Sequence, residues 1–135
     1  MSTKNLLLWS AVLSAALVSL AAEHKVPDLS KLPPAADRKG VTYAKDIKPI
    51  FEKSCFKCHG PEKQKGDLRV DSLEDILKGS EHGKVVVPRK VDKSPLLWAV
   101  ARLDEDTAMP PEGKADPLTK EQVRLVRAWI EQGAK

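Results

Sequence analysis

The apolar positions before the first cysteine predict a helix. Its apolar face has helical spacing and consists of Ile47, Ile50 and Phe51. Pro49 lacks an amide hydrogen and fits best in a first turn, so the regular helix is predicted to begin near Asp46, with a kinked start at Tyr43 as the alternative. The pattern leads directly into Cys55.

The clearest predicted helix lies at the end of the sequence. Thr119 and Gln122 form a capping box, and Gly133 suits a left-handed C-terminal cap. Its apolar stripe consists of Val123, Val126, Trp129 and Ile130. Another helix is predicted after a Ser94 cap, with Pro95 at its first position. Its apolar side consists of Leu96, Leu97, Val100 and Leu103.

Shorter patterns lie between these helices. A weaker helix is predicted for residues 72–78, and the β-prone runs 68–70 and 85–87 are predicted to pair as a small ribbon. The expected fold class is all-α, with first and last helices packed together and a short β-ribbon insert.

Residues 1–41 lack the pattern of a folded domain. Lys4 precedes an uncharged run from Leu6 to Ala22 that ends in small residues, which predicts a signal peptide over residues 1–22. Because this run approaches the length of a membrane span, an uncleaved N-terminal anchor is the alternative. Residues 23–41 contain three prolines and are predicted to be a flexible linker, followed by one domain at residues 42–135.

Cys55, Cys58 and His59 form a Cys-x-x-Cys-His motif. Two thiols at this spacing, followed directly by an imidazole, are typical of covalent haem attachment, in which both thiols form thioethers and the histidine binds iron. A zinc site is an alternative, but its only further histidine ligands are His24 and His82. A dithiol oxidoreductase is another alternative, although the cysteines of such a protein normally lie at the start of a helix in a strand–helix unit.

Met109 is predicted to be the second axial ligand of the haem iron. It is the only methionine besides the initiator and follows His59 by 50 positions. The two prolines after it favour a rigid extended loop. A core methionine is the alternative role, and His82 is an alternative ligand whose loop favours exposure. The carbonyl of Pro61 or of a neighbour is predicted to accept the Nδ1 hydrogen of His59.

An ordered series of motifs extends from about Tyr43 to Ala134. It comprises Asp46-Ile47, Pro49-Ile50, CFKCHG at 55–60, KGDLRVDS at 65–72, Ser94 to Leu97, Met109 to Pro111 and LVRAWIEQGA at 125–134. This order resembles the single-haem c-type cytochromes, and among them the planctomycete-type cytochrome c domains. The resemblance implies a cytochrome c fold whose terminal helices cross beside a covalent haem, with His59 and Met109 as axial ligands.

The two axial ligands predict an electron carrier and not an enzyme. With imidazole and thioether bound, the iron has no position for substrate. The alternative is a haem-based sensor or small peroxidase-like protein with a displaceable distal ligand. Electrons are expected to leave near Cys55 and Cys58, where Lys57, Lys63 and Lys65 form either a basic rim for an acidic redox partner or ordinary solvated side chains.

The net charge and the N-terminal segment limit the partners and the cellular location expected for this protein. The 135 residues include 23 Lys and Arg against 19 Asp and Glu, and the net charge of +4 is scattered along the chain. A weak, dispersed charge gives no reason to expect a nucleic acid partner. The signal peptide predicts export to the periplasm, whereas an anchor would tether the protein to the outer face of the inner membrane. The sequence does not identify the protein that donates the electron or the protein that accepts it.

Overall fold

The structure is a computed structural model that describes residues 24–135. The predicted signal peptide or anchor at residues 1–22 lies outside the described residues. None of the helices within the described range combines the length and apolar character needed to span a bilayer.

Helices form the framework of the described region. Its α-helices are α1 (Lys48–Ser54), α2 (Leu73–Lys78), α3 (Pro95–Val100) and α4 (Lys120–Glu131). Turns of 3₁₀-helix occur at Leu29–Lys31, Lys65–Asp67, Val91–Lys93 and Glu105–Thr107. Because the segment from residue 24 to 135 contains no strand, the predicted all-α class is confirmed.

The predicted β-ribbon is wrong. The Val70 amide donates to the carbonyl of His59 (2.9 Å), and the carbonyl of Val85 accepts from the Leu96 amide (2.9 Å). The two apolar runs therefore bond to other segments and not to each other. Their β-propensity reflects burial, since Val70 and Val85 both belong to the core.

The first helix has the kinked start that the sequence offered as an alternative. A turn of π-helix at Tyr43–Ile47 precedes α1, and Pro49 lies in the first turn of α1. The last helix contacts this π-turn, where the rings of Tyr43 and Trp129 lie 6.2 Å apart and the Tyr43 amide donates to the carbonyl of Lys135 (2.7 Å). The first and last helical segments thus pack as expected, through the π-turn.

The predicted caps of α4 are confirmed and that of α3 is wrong. Thr119 and Gln122 exchange both capping-box hydrogen bonds, and Gly133 adopts a φ of 107° after α4. Helix α3 begins at Pro95, but Ser94 does not cap it. The buried Ser94 hydroxyl instead donates to the carbonyl of Lys90 (2.7 Å) and accepts from the Val87 amide (3.0 Å).

The predicted flexible linker is instead a packed segment, which we call the N-terminal strap (residues 24–41). Leu32 and Val41 are buried in the same core as α1, α3 and α4. Side chains of α4 bond to strap carbonyls, because Arg127 donates to Pro33 (2.8 Å) and Arg124 to Pro34 (3.2 Å). The prolines prevent a continuous α-helix, and long-range hydrogen bonds satisfy backbone carbonyls of the strap instead.

Leu32→Ala is expected to destabilise the holoprotein by about 2–4 kcal/mol, the usual cost of truncating a buried leucine. Val26→Ala is the matched control, because Val26 lies in the same strap with half of its surface exposed. We expect that control to change the free energy of unfolding by less than about 0.5 kcal/mol. Denaturant titration followed by circular dichroism measures both values. Equal, negligible effects would mean that the strap does not pack in solution.

Candidate haem site

A largely apolar cavity of about 430 Å³ brings Cys55, His59 and Met109 together. Its apolar wall includes Phe51, Leu68, Val70, Val85, Leu96 and Val100. The volume falls within the roughly 300–1,000 Å³ typical of cofactor pockets. Residues separated by 50 positions in the sequence thus line a single cavity.

The attachment motif forms a tight turn directly after α1. The Cys55 amide continues the helical pattern to the carbonyl of Phe51 (2.7 Å), and the carbonyl of Cys55 accepts from the amides of Cys58 (3.1 Å) and His59 (2.9 Å). A Cβ at Gly60 would collide with the carbonyl of Phe56, so only glycine fits after the histidine. Cys58 is half-buried in this turn, although it is not among the cavity-lining residues.

His59 reaches the cavity in the form that binds metals. Burial lowers the pKa of its imidazole, which favours the neutral ring at neutral pH. The turn is held by the following segment, since the Lys65 amide donates to the carbonyl of Cys58 (2.9 Å). Pro61 is not the predicted acceptor of the Nδ1 hydrogen, because its carbonyl accepts from Gln64 (3.4 Å), and the buried Nδ1 makes no hydrogen bond of good geometry within the described residues.

The environment of Cys55 disfavours redox chemistry at a free thiol. Burial, and secondarily the neighbouring Cys58 thiol, raises the pKa of Cys55 to about 12. A dithiol oxidoreductase needs the opposite, a cysteine whose pKa is lowered so that thiolate forms at neutral pH. Nor do the described side chains include a group of three or more His, Cys, Asp or Glu arranged to hold a metal ion, such as a structural zinc site requires.

Met109 enters the cavity from a loop fastened to α3. Its amide donates to the carbonyl of Ala99 (3.0 Å), and the next carbonyl, that of Pro110, accepts from Arg102 (2.9 Å). The Met109 side chain is partly buried and lies outside any helix, as the two following prolines predict. These bonds fix where the thioether meets the cavity.

The cavity also has a polar part that the sequence did not indicate. His82 is exposed, as predicted, yet it lines the cavity together with the strap residues His24 and Lys25. The rings of His24 and His82 lie edge to face with centroids 6.5 Å apart. A sequence pattern could not indicate that residues 24 and 82 lie close together, because the position of the strap depends on its contacts with α4.

The donor set fits a covalently attached haem. A thiol and an imidazole from one turn and a thioether from a second segment line a cavity whose remaining wall is mainly apolar. Thioether attachment uses the thiol, and neutral imidazole and thioether are known axial ligands of low-spin haem iron. Cys55, His59 and Met109 are therefore the residues that would hold the group, with Cys58 in the same turn as the second attachment point.

Comparison with protein families agrees with this chemistry. Residues 55–113 match the family model described as planctomycete cytochrome C, an interval that includes the attachment motif and Met109. A solved structure of hydrazine synthase from Kuenenia stuttgartiensis is similar with 21% identity and a TM-score of 0.44, over 70% of this chain and 16% of that chain. No curated protein matches the sequence. The resemblance seen in the sequence is confirmed over residues 55–113, which are similar to the planctomycete cytochrome C family.

Proposed function

We propose that this protein is a one-electron carrier with a single covalent haem c whose axial ligands are His59 and Met109. The observation that carries the proposal is that both side chains line the same apolar cavity as Cys55. When bound, the haem supplies reversible one-electron chemistry at its iron. The chain holds that group, excludes water around it and supplies one ligand from each of two separate segments.

The ligand pair supports a carrier over an enzyme or sensor. A soft thioether and a neutral imidazole both suit ferrous iron, and methionine raises the reduction potential relative to stronger donors. With both axial positions filled, substrates and gases find no free coordination site. The attachment of the Met109 loop to Ala99 and Arg102 supports a ligand that stays bound.

An absorption spectrum of exported, matured protein tests the carrier proposal. We expect a low-spin ferrous spectrum that carbon monoxide does not change, and a weak far-red sulfur-to-iron band in the ferric state. Acid acetone should leave the haem on the chain, because thioethers resist extraction. Rapid carbon monoxide binding would instead identify a sensor or peroxidase-like protein, and a colourless chain would exclude the haem function altogether.

We also propose that an acidic redox partner docks beside the attachment motif. Lys57, Lys63 and Lys65 are exposed, and within residues 24–135 none of them forms an ion pair. Free lysines around a redox site steer an oppositely charged partner. The uncharged run before Ala22 supports export, with anchoring to the outer face of the inner membrane as the alternative.

Exchanging Lys57, Lys63 and Lys65 for Gln is expected to slow electron transfer to an acidic acceptor by about tenfold at low salt, because electrostatic steering accounts for such factors. The difference from the unaltered protein should disappear at high ionic strength. Stopped-flow reduction of an acidic and a neutral acceptor measures both effects. A rate that is insensitive to the exchange and to salt would mean that these lysines are ordinary surface residues.

A further inference from the structure

The polar part of the cavity has no role in holding the iron. Its basic side chains are His24 and Lys25 from the N-terminal strap and His82 from the loop after α2. All three side chains are exposed on one side while they line the cavity on the other. They are therefore placed to interact with a bound group at the edge where the cavity meets solvent.

The positions of these residues are set by the fold. The strap is fastened by buried Leu32 and by the bonds from Arg124 and Arg127. The loop of His82 is held independently, because the His82 amide donates to the Ser80 hydroxyl (3.1 Å) and the Glu81 amide donates to the carbonyl of Gly66 (3.0 Å). Two separately anchored segments thus bring their histidine rings into edge-to-face contact.

The chemistry of the cofactor requires a polar edge. A haem carries two propionate carboxylates, and a carboxylate in an apolar cavity is costly unless it meets hydrogen-bond donors or positive charge. Apart from His59, the lining side chains that can carry positive charge are the two histidines and the lysine at the mouth. Asp104 and Asp106 also line the cavity and would repel a carboxylate.

We propose that His24, Lys25 and His82 form the binding site for the haem propionates. The proposal rests on the proposed haem function and deepens it, because it assigns the polar edge of the cofactor to the strap. The Glu81 carboxylate also contacts His82, because its Oε1 atom lies 3.3 Å from the imidazole Nε2. The charged groups that face the site are therefore Lys25, Glu81, Asp104 and Asp106, in addition to the two imidazoles.

The assignment links the charge of the site to the haem iron. A positive charge beside the propionates favours the ferrous state, because that state carries one positive charge fewer. The loss of Lys25 should therefore lower the reduction potential.

The test compares the holoproteins of three variants. The double variant His24→Gln with His82→Gln removes both imidazoles at the mouth and should still carry covalent haem. Lys25→Gln should raise the ferric-to-ferrous ratio about threefold at a fixed ambient potential, because it removes a positive charge beside the propionates. The control is Lys120→Gln, which removes an exposed cation at the start of α4 outside the cavity lining and should leave this ratio unchanged.

Resonance Raman spectroscopy provides a direct readout, since the propionate bending mode responds to hydrogen bonds at the carboxylates. We expect it to shift in the double variant and in Lys25→Gln but not in Lys120→Gln. If the variants keep covalent haem and a low-spin spectrum but show no shift in the propionate mode or in the reduction potential, the propionate assignment is overturned. The proposed haem function would not be affected by that result. Failure of the haem to attach in the unaltered protein would overturn the proposed function. If the double variant does not mature, Lys25→Gln decides by the same two measurements.

Discussion

Met109→Ala is expected to lower the reduction potential by on the order of 0.2 V, a fraction of the roughly 0.8 V range that axial ligands set. The loss of the thioether removes the donor that favours ferrous iron, and no other methionine lies in the described region. The vacated position should then bind carbon monoxide. Potentiometric titration and ferrous spectra with carbon monoxide measure the two effects.

Leu96→Ala is the matched control for the Met109 variant. Leu96 lines the same cavity from α3 and carries no atom that binds iron. Its truncation creates similar free space, so it separates the effect of lost packing from the effect of a lost ligand. The potential should change little and carbon monoxide should not bind. A Met109→Ala protein that behaves like this control would show that Met109 is only a packing residue.

The sequence predicted the helices wherever periodicity and local capping agree. The start of α4 is encoded by Thr119 and Gln122, which bond to each other, and its end by Gly133, whose positive φ favours glycine. These signals act over a few residues and can be recognised directly. Ser94 shows the limit of such capping rules, because the preceding loop engages its hydroxyl through Val87 and Lys90 and takes it away from α3.

The strap could not be predicted because its partners are distant in sequence. Prolines and scarce apolar residues are the usual composition of a linker, and residues 23–41 satisfy that description. The structure stabilises the strap with side chains that lie about 90 positions away, including Gln132, which accepts from the Val41 amide (3.1 Å). Arg38 of the strap also pairs with the buried Asp46 carboxylate (2.7 Å). Single-sequence patterns contain no information about such pairings.

The candidate site likewise has a part that the sequence predicts and a part that it does not predict. The attachment turn is a local motif, and its residues Cys55, Cys58 and His59 lie together in the turn after α1. The rarity of methionine and the two following prolines indicate Met109 as an iron ligand, and Met109 lines the same cavity as His59. The polar mouth was missed, since His24 and His82 meet only because two separate segments are each held against the core.

His59→Ala is expected to prevent formation of a stable holoprotein. The variant removes the imidazole that faces the cavity from the attachment turn while both thiols remain. We expect the yield of haem-bearing protein to fall by at least about tenfold, the lower end of what losing even an outer-shell partner of a metal ligand costs. Haem staining after denaturing electrophoresis and the pyridine haemochrome spectrum measure the yield.

Lys57→Ala provides the control for the His59 variant from within the same turn. Lys57 is exposed and occupies a variable position between the two cysteines, so its removal leaves the cavity lining intact. Its holoprotein yield should equal that of the unaltered chain. If His59→Ala matures equally well with an unchanged low-spin spectrum, the proximal ligand is not His59. In that case the buried ring serves packing alone, and the exposed His24 and His82 become the remaining imidazole candidates.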